Sequence, residues 1–423
     1  MSIASLNPPA QASSRVDVCG RILILLLALR WLAGIGENFG LGAISEMAGL
    51  GMLLALGILT LVDLRLATGP ALFVAGILAW LFVALLSCIA NTDIRMFDAV
   101  SLFALLALYG LFMNAASLHF RERTILGPVR FFVSMFILVG GVLSILQVVT
   151  ETGFVEAGKE GVMRAYGSDV HPVSFSIQIL AAMVVLDVLR AKEGMPAGVV
   201  HIGLMALGLI AIYLTFARTA WAMALLVFTY STLANASWGV RIASLICVTL
   251  AVTAAFLWSD RFSDLRSLPL FLTQFSFDNA VFDFRYIDNS LSWRIVNWTY
   301  GFQQALEQPL FGFGPGQSAD SSYFNLEMHN ILLETFFEGG VFGVIALLIT
   351  LAGLVALHHR LPRHSASDRY IRSLTNGFGW ALFLAVLMST SLVDQLMTIL
   401  MYLLLLAVTG SVPGVAAISP PQP

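Results

Sequence analysis

A histidine among three carboxylates stands at the start of a long apolar segment. The stretch "LEMHNILLETFFEGGVFG" carries His329 after Glu327 and ahead of Glu334 and Glu338, and the chain then stays apolar through "VIALLITLAGLVAL". An ionisable group at the edge of hydrocarbon costs enough free energy that function is its default interpretation. The dipole of a helix N-terminus favours a neutral imidazole, which can accept a proton, whereas the carboxylates favour the charged ring. The sequence therefore leaves the protonation state of His329 open.

Two roles for His329 follow from this position. The ring is a general base that takes a proton from a substrate, or it closes the helix N-terminus by hydrogen bonding. Asn330 is of the right type to orient the ring or a substrate. Whether Glu327 contacts a substrate stays open, and Glu334 and Glu338 have the simpler role of positioning the helix.

Arginines in the segments assigned below to the same face as His329 favour an anionic ligand. They are Arg164, Arg218, Arg261, Arg266, Arg285 and Arg294. Those at positions 261, 266 and 285 lie among aspartates, and we expect loop salt bridges there. Arg218 in "TFARTAW" differs, because a guanidinium in an apolar stretch far from any carboxylate needs an anion from another span or from a ligand. Guanidinium groups suit phosphate, whose oxygens they contact in pairs.

Glycines and a second histidine complete the candidate set. The segment "LFGFGPG" contains Gly314 and Gly316, and it either returns the chain to the membrane as a turn or cradles phosphate with its backbone N–H groups. His171 follows Arg164 and Gly167 and opens an apolar span, where it can line the same cavity. Glycines 339, 340 and 343 are predicted to allow close helix packing.

The composition around these residues is that of an integral membrane protein. The 423 residues are 58% hydrophobic and 11% charged, with a mean hydropathy of +0.88, which leaves too little charge to coat a soluble domain. The three cysteines, at positions 19, 88 and 247, have no metal spacing, and we expect no disulfide. The sequence has no paired-aspartate motif, no Cys/His cluster and no nucleotide loop, so we expect no metal and no cofactor. Membrane lipids, and no nucleic acid, are the expected surroundings.

The apolar pattern predicts an all-α polytopic membrane protein with about twelve transmembrane helices, each formed by about 20 apolar residues. The predicted spans are 21–37, 41–62, 70–90, 97–118, 126–149, 171–189, 197–216, 218–235, 240–258, 329–357, 374–391 and 393–412.

Basic residues in alternate short loops orient these spans, because cytoplasmic loops carry the excess of lysine and arginine. The basic loops include "HHRLPRHSASDRYIR", and their assignment to the cytoplasm puts both termini inside. The predicted organisation is a cytoplasmic tail (1–20), nine helices (21–258), one large periplasmic loop with short helices (259–328), three helices (329–412) and a second tail (413–423). Within the loop, "SWRIVNWTYGFQQALEQP" predicts a helix that ends before Pro309.

Four motifs in order, "RAYGSDVHPVSFS", "TFARTAWAMALL", "SWRIVNWTYGFQQALEQPLFGFGPG" and "HNILLETFFEGGVFG", resemble the O-antigen ligase and O-antigen polymerase superfamily. These are membrane glycosyltransferases that use undecaprenyl-diphosphate-linked glycans. The resemblance covers the C-terminal two-thirds of the chain, and the first five spans match only in hydropathy. It implies a bacterial inner-membrane enzyme whose active site faces the periplasm.

In the ligases, the resemblance implies arginines that hold the lipid diphosphate and a histidine that acts on the acceptor hydroxyl. Carried over by motif, these roles fall on Arg218, Arg294 and, more weakly, Arg164 for the diphosphate, and on His329 as the base. The chain departs from the commoner serine-arginine-glycine form, because Ala217 and Thr219 flank Arg218, which puts a neighbouring hydroxyl role in doubt. The implied donor is an undecaprenyl-diphosphate-linked polysaccharide and the implied acceptor is lipid A-core oligosaccharide.

Two alternatives stay open beside the ligase. A polymerase of the same superfamily uses another undecaprenyl-linked repeat as acceptor and tends to have two substantial outer loops, whereas here 151–170 is short and only 259–328 is long. A flippase or transporter for lipid-linked glycan predicts mid-span charges and internal repeats, neither of which is clear in this sequence.

Overall fold

The computed structural model describes residues 10–38, 40–62, 67, 69–91, 96–120, 123–155, 163–169, 171–258, 269, 271, 290–320, 328–362, 365–388 and 396–410. Regular structure in these ranges is helical except for one short antiparallel hairpin, in which β1 (Phe154–Val155) pairs with β2 (Met163–Arg164). A 3-10 turn (Arg123–Ile125) precedes one of the helices. The all-α prediction is confirmed.

Most α-helices of the described residues overlap the predicted spans. They are α1 (Ala10–Glu37), α2 (Gly42–Val62), α3 (Ala71–Ala90), α4 (Met96–His119), α5 (Leu126–Val149), α6 (Pro172–Lys192), α7 (Val199–Leu214), α8 (Arg218–Asn235), α9 (Trp238–Trp258), α10 (Ser290–Ala305), α11 (Gln317–Asp320), α12 (Ile331–His359), α13 (Ala366–Met388) and α14 (Leu396–Gly410). Helix α1 begins well before its apolar part, which starts at Val18, so it reaches back into the predicted N-terminal tail.

Among the described residues, 7 helices are long and apolar enough to cross a membrane, namely the apolar parts of α1 to α6 and α12. Helices α7 and α14 are apolar but shorter. The polytopic architecture is therefore confirmed, and the number of twelve spans stays a prediction. The predicted helix before Pro309 is present as α10. Of the predicted long loop, most of 259–289 and 321–327 lies outside the described residues.

Helix α6 forms the centre of the bundle. Nearly all of its side chains are buried, because it is enclosed by α5, α7, α8, α13 and α14. Its two ends differ in chemistry: Gln178 near the first end donates to Asp169, and Asp187 near the second end binds Arg190. The bond between Gln178 and Asp169 therefore ties the loop before α6 to the helix.

Contacts between helix ends define two faces of the bundle. At one face, α3 ends beside the 309–316 turn, where the Asn91 side chain donates to the Gly312 carbonyl at 3.0 Å, and α12 begins after His329. We call this the His329 face. At the opposite face, Arg360 after the end of α12 donates to the Gly69 carbonyl just before α3, at 3.1 Å.

Helix α12 is broken at Gly340, whose φ of 62° and ψ of −159° are open essentially only to glycine. A broken helix leaves backbone groups without hydrogen-bond partners inside the helix, and the 309–314 turn supplies those partners. Phe313 N donates to Phe337 O at 2.8 Å on one side of the break. On the other side, Val341 N donates to Pro309 O at 2.8 Å. The turn and the first part of α12 therefore form one unit.

Candidate functional site

His329 lies directly before the N-cap of α12. The cap is Asn330, whose Oδ1 accepts hydrogen bonds from the backbone N–H groups of Leu332 and Leu333, both at 3.1 Å. Asn330 therefore caps the helix, and the His329 ring does not have this role. A role for Asn330 in orienting a substrate stays a prediction.

The backbone of His329 is in the left-handed region, with a φ of 50°. A non-glycine residue held there costs about 1–3 kcal/mol, and such residues cluster at functional sites. Among the described residues this conformation recurs, outside glycine, at Glu151 and at Phe216, two residues before Arg218. Each of two predicted motifs, "HN" and "TFARTAW", thus contains one residue in this left-handed conformation.

The His329 ring is enclosed by groups that disfavour its charged form. The Trp293 ring meets it edge-on with centroids 5.5 Å apart, and the Arg294 guanidinium carbon lies 5.4 Å from the Trp293 centroid. The pKa of His329 is lowered to about 4, first by burial and then by the neighbouring side chains of Arg294 and His171. The question left open by the sequence is answered: the imidazole is neutral at neutral pH, and in the described part of the chain its buried Nδ1 has no hydrogen-bond partner.

The protonation of His329 can be followed by its reaction with diethyl pyrocarbonate, which modifies neutral imidazole. We expect the reaction to persist as the pH falls until about pH 4, because the pKa lies well below the ordinary value of 6.5. Arg294→Gln removes a repulsive charge and is expected to move the midpoint upward, whereas Arg294→Lys keeps the charge and the midpoint. Mass spectrometry of the His329 peptide provides the measurement, and a wild-type midpoint near 6.5 contradicts this environment.

Helix α10 carries Trp293 and Arg294 to the start of α12. The Trp298 indole N–H donates to the Met328 carbonyl at 2.5 Å, directly before His329. Met328 itself is fully buried and packs against Gly301, where an added Cβ would lie 2.4 Å from its methyl group. These contacts fix α10 against the His329 segment, so Arg294 and His329 belong to one site.

His171 reaches the same site from the loop before α6. It is the N-cap of α6, and its Nδ1 accepts from Val173 N at 3.3 Å. Its backbone N–H donates to the Asp169 carboxylate at 3.2 Å, which holds the loop to the start of the helix. The structure therefore brings His171, Arg294 and His329 into electrostatic range of one another.

Arg164 contacts the turn between α7 and α8, directly before Arg218. Arg164 Nε donates to the Thr215 carbonyl at 2.8 Å, and Ala165 N donates to the Leu214 carbonyl at 3.0 Å. Arg218 is the first residue of α8, three positions after Thr215, and is half-buried. Because Arg164 and His171 are the two ends of one short segment, this segment connects the turn before Arg218 to the loop that carries His171.

Gln147 anchors that segment, and it was not predicted as a site residue. From within the apolar helix α5, its Oε1 accepts from Tyr166 N at 3.0 Å and Gly167 N at 2.8 Å, and its Nε2 donates to the Gly167 carbonyl at 3.1 Å. A glutamine near the end of an apolar span was the available sequence signal. Gln147 is a positioning residue for the loop between Arg164 and His171.

The comparison with known protein families bears on this arrangement. Residues 203–348 match the family model described as O-antigen ligase. The match confirms the resemblance to the O-antigen ligase and polymerase superfamily, and it covers about a third of the chain, from α7 into α12. No curated protein matches the chain at a significant level.

The part that matches the O-antigen ligase model contains Arg218, Arg294 and His329, whereas Arg164 and His171 precede it. Together with the apolar helices, the match indicates a multi-pass membrane protein of the glycosyltransferase-like type. In the described ranges no group of three histidine, cysteine, aspartate or glutamate side chains could hold a metal ion. Metal independence stays a prediction.

Gly314 and Gly316 lie in the turn that closes the α12 break. The Gly314 N–H donates to the Glu338 carbonyl at 3.0 Å, so this N–H is already occupied by a backbone hydrogen bond. A Cβ added at Gly316 would lie 2.5 Å from the Cβ of Asp98 in α4, which shows how closely the turn approaches that helix. A phosphate-binding role for these glycines stays a prediction beside this structural role.

Two of the three carboxylates of the opening motif, Glu334 and Glu338, lie in described residues. The Glu338 carboxylate accepts from the Ser318 hydroxyl at 2.8 Å and thereby ties α11 to α12. Glu334 lies in the first turn of α12, where a negative charge interacts favourably with the helix dipole. Glu327 and the arginines at positions 261, 266 and 285 lie outside the described residues.

Proposed function

We propose that the protein is an O-antigen ligase, which transfers a preassembled polysaccharide from undecaprenyl diphosphate to lipid A-core oligosaccharide. The observation that carries the proposal is the His329 site, where a neutral, partly buried imidazole lies within electrostatic range of Arg294. The family match over the same residues supports the reaction class.

In the proposed reaction, His329 accepts the proton of the acceptor hydroxyl. The hydroxyl oxygen then forms a bond to the anomeric carbon of the donor as the bond from that carbon to the diphosphate oxygen breaks. Undecaprenyl diphosphate leaves with the bonding electron pair, and the anomeric centre is inverted without a covalent enzyme intermediate. The proton left on His329 returns to solvent, so the cycle is balanced without a metal or a cofactor.

Arginines supply the charge that the leaving diphosphate requires. Arg218 and Arg294, with Arg164 in support, would contact its oxygens and stabilise the negative charge that develops in the transition state. The same contact strengthens the base: burial and the charge of Arg294 lower the pKa of His329, and a diphosphate dianion at Arg294 offsets that charge. Donor binding would thus move His329 towards a pKa better suited to general-base catalysis.

The proposed location is the bacterial inner membrane, with both termini in the cytoplasm and the site facing the periplasm. The support is the distribution of charge, because Arg190, Arg360 and Arg369 lie at the opposite face from His329. In this arrangement 259–328 is the large periplasmic loop between the helices of 21–258 and those of 329–412. Both substrates are lipid-anchored, so the site would open sideways to the bilayer.

Arg294→Lys tests whether paired contacts matter at this position. We expect kcat/KM to fall about 10- to 100-fold, because a lysine keeps the charge but loses a charged hydrogen bond. The pKa of His329 is expected to stay low, since the positive charge remains. Transfer by purified protein at saturating acceptor provides the measurement, and a rate equal to wild type excludes a bidentate role for Arg294.

Reconstitution with two acceptors tests the proposed function itself. Purified protein in liposomes receives undecaprenyl-diphosphate-linked polysaccharide together with either lipid A-core or a second undecaprenyl-linked repeat. The ligase proposal expects product only with lipid A-core. Product only with the undecaprenyl-linked acceptor overturns it in favour of a polymerase, and movement of donor across the bilayer without product favours a flippase.

A further inference from the structure

A cavity lies between α3, α4, α12, α13 and α14, and its lining runs from Ile331, two residues after His329, to His358 and His359 at the other end of α12. Its volume is about 390 Å³, within the range of ligand pockets in proteins. Most of its lining is apolar and aromatic, including Phe73, Trp80, Leu351 and Phe383. Such a surface suits a hydrocarbon chain rather than a sugar.

The rim of this cavity opens towards the side of the bundle. Val355 of α12 and Trp380 of α13 both line it, and both remain about half exposed, at 48% and 57%. These residues belong to helices of a membrane protein, so the opening faces lipid. A chain can therefore enter from the bilayer without crossing an aqueous surface.

Polar groups gather at the end of the cavity that lies at the opposite face. There the two ring nitrogens of His358 bind Asn376 Oδ1 at 2.6 Å and Tyr402 Oη at 2.5 Å. Gly379 makes room for this pair, because a Cβ there would lie 2.9 Å from both the His358 ring and the Tyr402 hydroxyl. Both ring nitrogens of His358 are thus occupied by hydrogen bonds at this end of the cavity.

Two basic side chains, Arg372 and His359, line the same end. Arg372 is half-buried, and no hydrogen bond or ion pair to it is present in the described part of the chain. The nearest carboxylate along α13, Asp368, accepts from Ser365 N at 3.0 Å as part of the helix start. An arginine at the end of an apolar cavity is complementary to an anionic headgroup, and basic pockets between membrane helices bind such headgroups.

We propose that this cavity binds an anionic phospholipid from the leaflet opposite to the His329 face. One acyl chain lies among the apolar residues of α3, α12 and α13, and the phosphate lies against Arg372 with His359 beside it. The proposed phosphate position at Arg372 lies at the face opposite to His329, and the binding needs no chemical step. A lipid held there fills the space between α12 and α13 and so supports the helix that carries His329.

Native mass spectrometry of the detergent-purified full chain, titrated with phosphatidylglycerol or with phosphatidylcholine of the same chain length, tests the proposal. Wild type is expected to retain phosphatidylglycerol preferentially. Arg372→Gln is expected to weaken that retention about fivefold, which corresponds to the attraction of one arginine for an anionic lipid. The matched control is Arg369→Gln, which removes an exposed arginine one turn away on the same helix and leaves retention unchanged.

A second variant tests the chain-binding part without touching the charge. Leu351→Trp fills the cavity and is expected to reduce retention of both lipids. The proposal is overturned if Arg372→Gln retains phosphatidylglycerol as wild type does, or if Arg369→Gln weakens it equally. It is also overturned if inorganic phosphate displaces the lipid, because the headgroup alone would then carry the binding. Should Arg372→Gln fail to fold, two other single variants decide the question. Arg372→Lys is expected to keep the retention of phosphatidylglycerol, and Leu351→Trp is expected to lose it.

Discussion

Replacing His329 with alanine is expected to lower glycan transfer by about a hundredfold or more, the usual contribution of a general base. The side chain accepts the proton of the attacking hydroxyl, and Asn330 keeps the N-cap of α12 when the ring is removed. Membrane insertion and the melting temperature should therefore stay close to wild type. The matched control is His201→Ala, which removes a histidine that pairs with Asp187 at the far end of α6.

Single-turnover transfer by the purified variants gives the measurement, because it separates chemistry from substrate binding. His329→Ala should lose rate while donor affinity is retained, and His201→Ala should keep both. Full activity of His329→Ala would remove the base role. Loss of donor binding with an unchanged rate at saturation would assign His329 to the diphosphate instead.

Gly340→Ala is expected to have the second large effect, on both folding and transfer. Its φ of 62° costs an alanine about 1–3 kcal/mol, and the added Cβ would lie 2.3 Å from the Leu310 carbonyl oxygen. The 309–314 turn must then move away from α12, which breaks the backbone bonds that join them. We expect a lower melting temperature and a strong loss of transfer, since the same helix begins beside His329.

Gly339→Ala is the matched control, because it changes the neighbouring buried glycine by the same methyl group. Its Cβ would lie 3.6 Å from a Val83 methyl group, an ordinary contact, and its φ is not in the left-handed region. Fluorescence-detected thermal unfolding in detergent compares the two variants with wild type. Equal melting temperatures for Gly340→Ala and Gly339→Ala would contradict the account of the helix break.

Hydropathy was sufficient to predict most of the helices. An apolar run of about 20 residues must be helical in a membrane, because its backbone groups find partners only within the segment. The helix before Pro309 was likewise predicted from its pattern and its terminating proline, and it is present as α10. Residue type and position drew attention to His329 and His171, and the family resemblance to Arg294; the structure brings the three together.

The break at Gly340 could not be predicted, because the expected close packing and the observed helix break both call for glycine. What decides between them is the approach of the 309–314 turn, about 30 residues away along the chain, and local sequence carries no information on that contact. The charge state of His329 was open for the same reason. Among the described residues, burial, Arg294 and His171 lower its pKa, and these contacts depend on the tertiary structure.

The positioning residue Gln147 also depended on tertiary contacts. Its three hydrogen bonds to the backbone of Tyr166 and Gly167 exist only when α5 and the following loop are packed together. From the sequence, it was one polar residue near the end of an apolar span. The cavity that ends at Arg372 could not be predicted from the sequence either, because its walls come from five helices spread along the chain.

The most direct test of the proposed function is gel electrophoresis of lipopolysaccharide from a host strain that lacks the protein. The account predicts the loss of all long-chain species, with undecaprenyl-linked polymer accumulating, and their return with wild type but not with His329→Ala. A core that carries a single repeat would contradict the ligase and indicate a polymerase. An unchanged ladder would contradict a role in lipopolysaccharide assembly altogether.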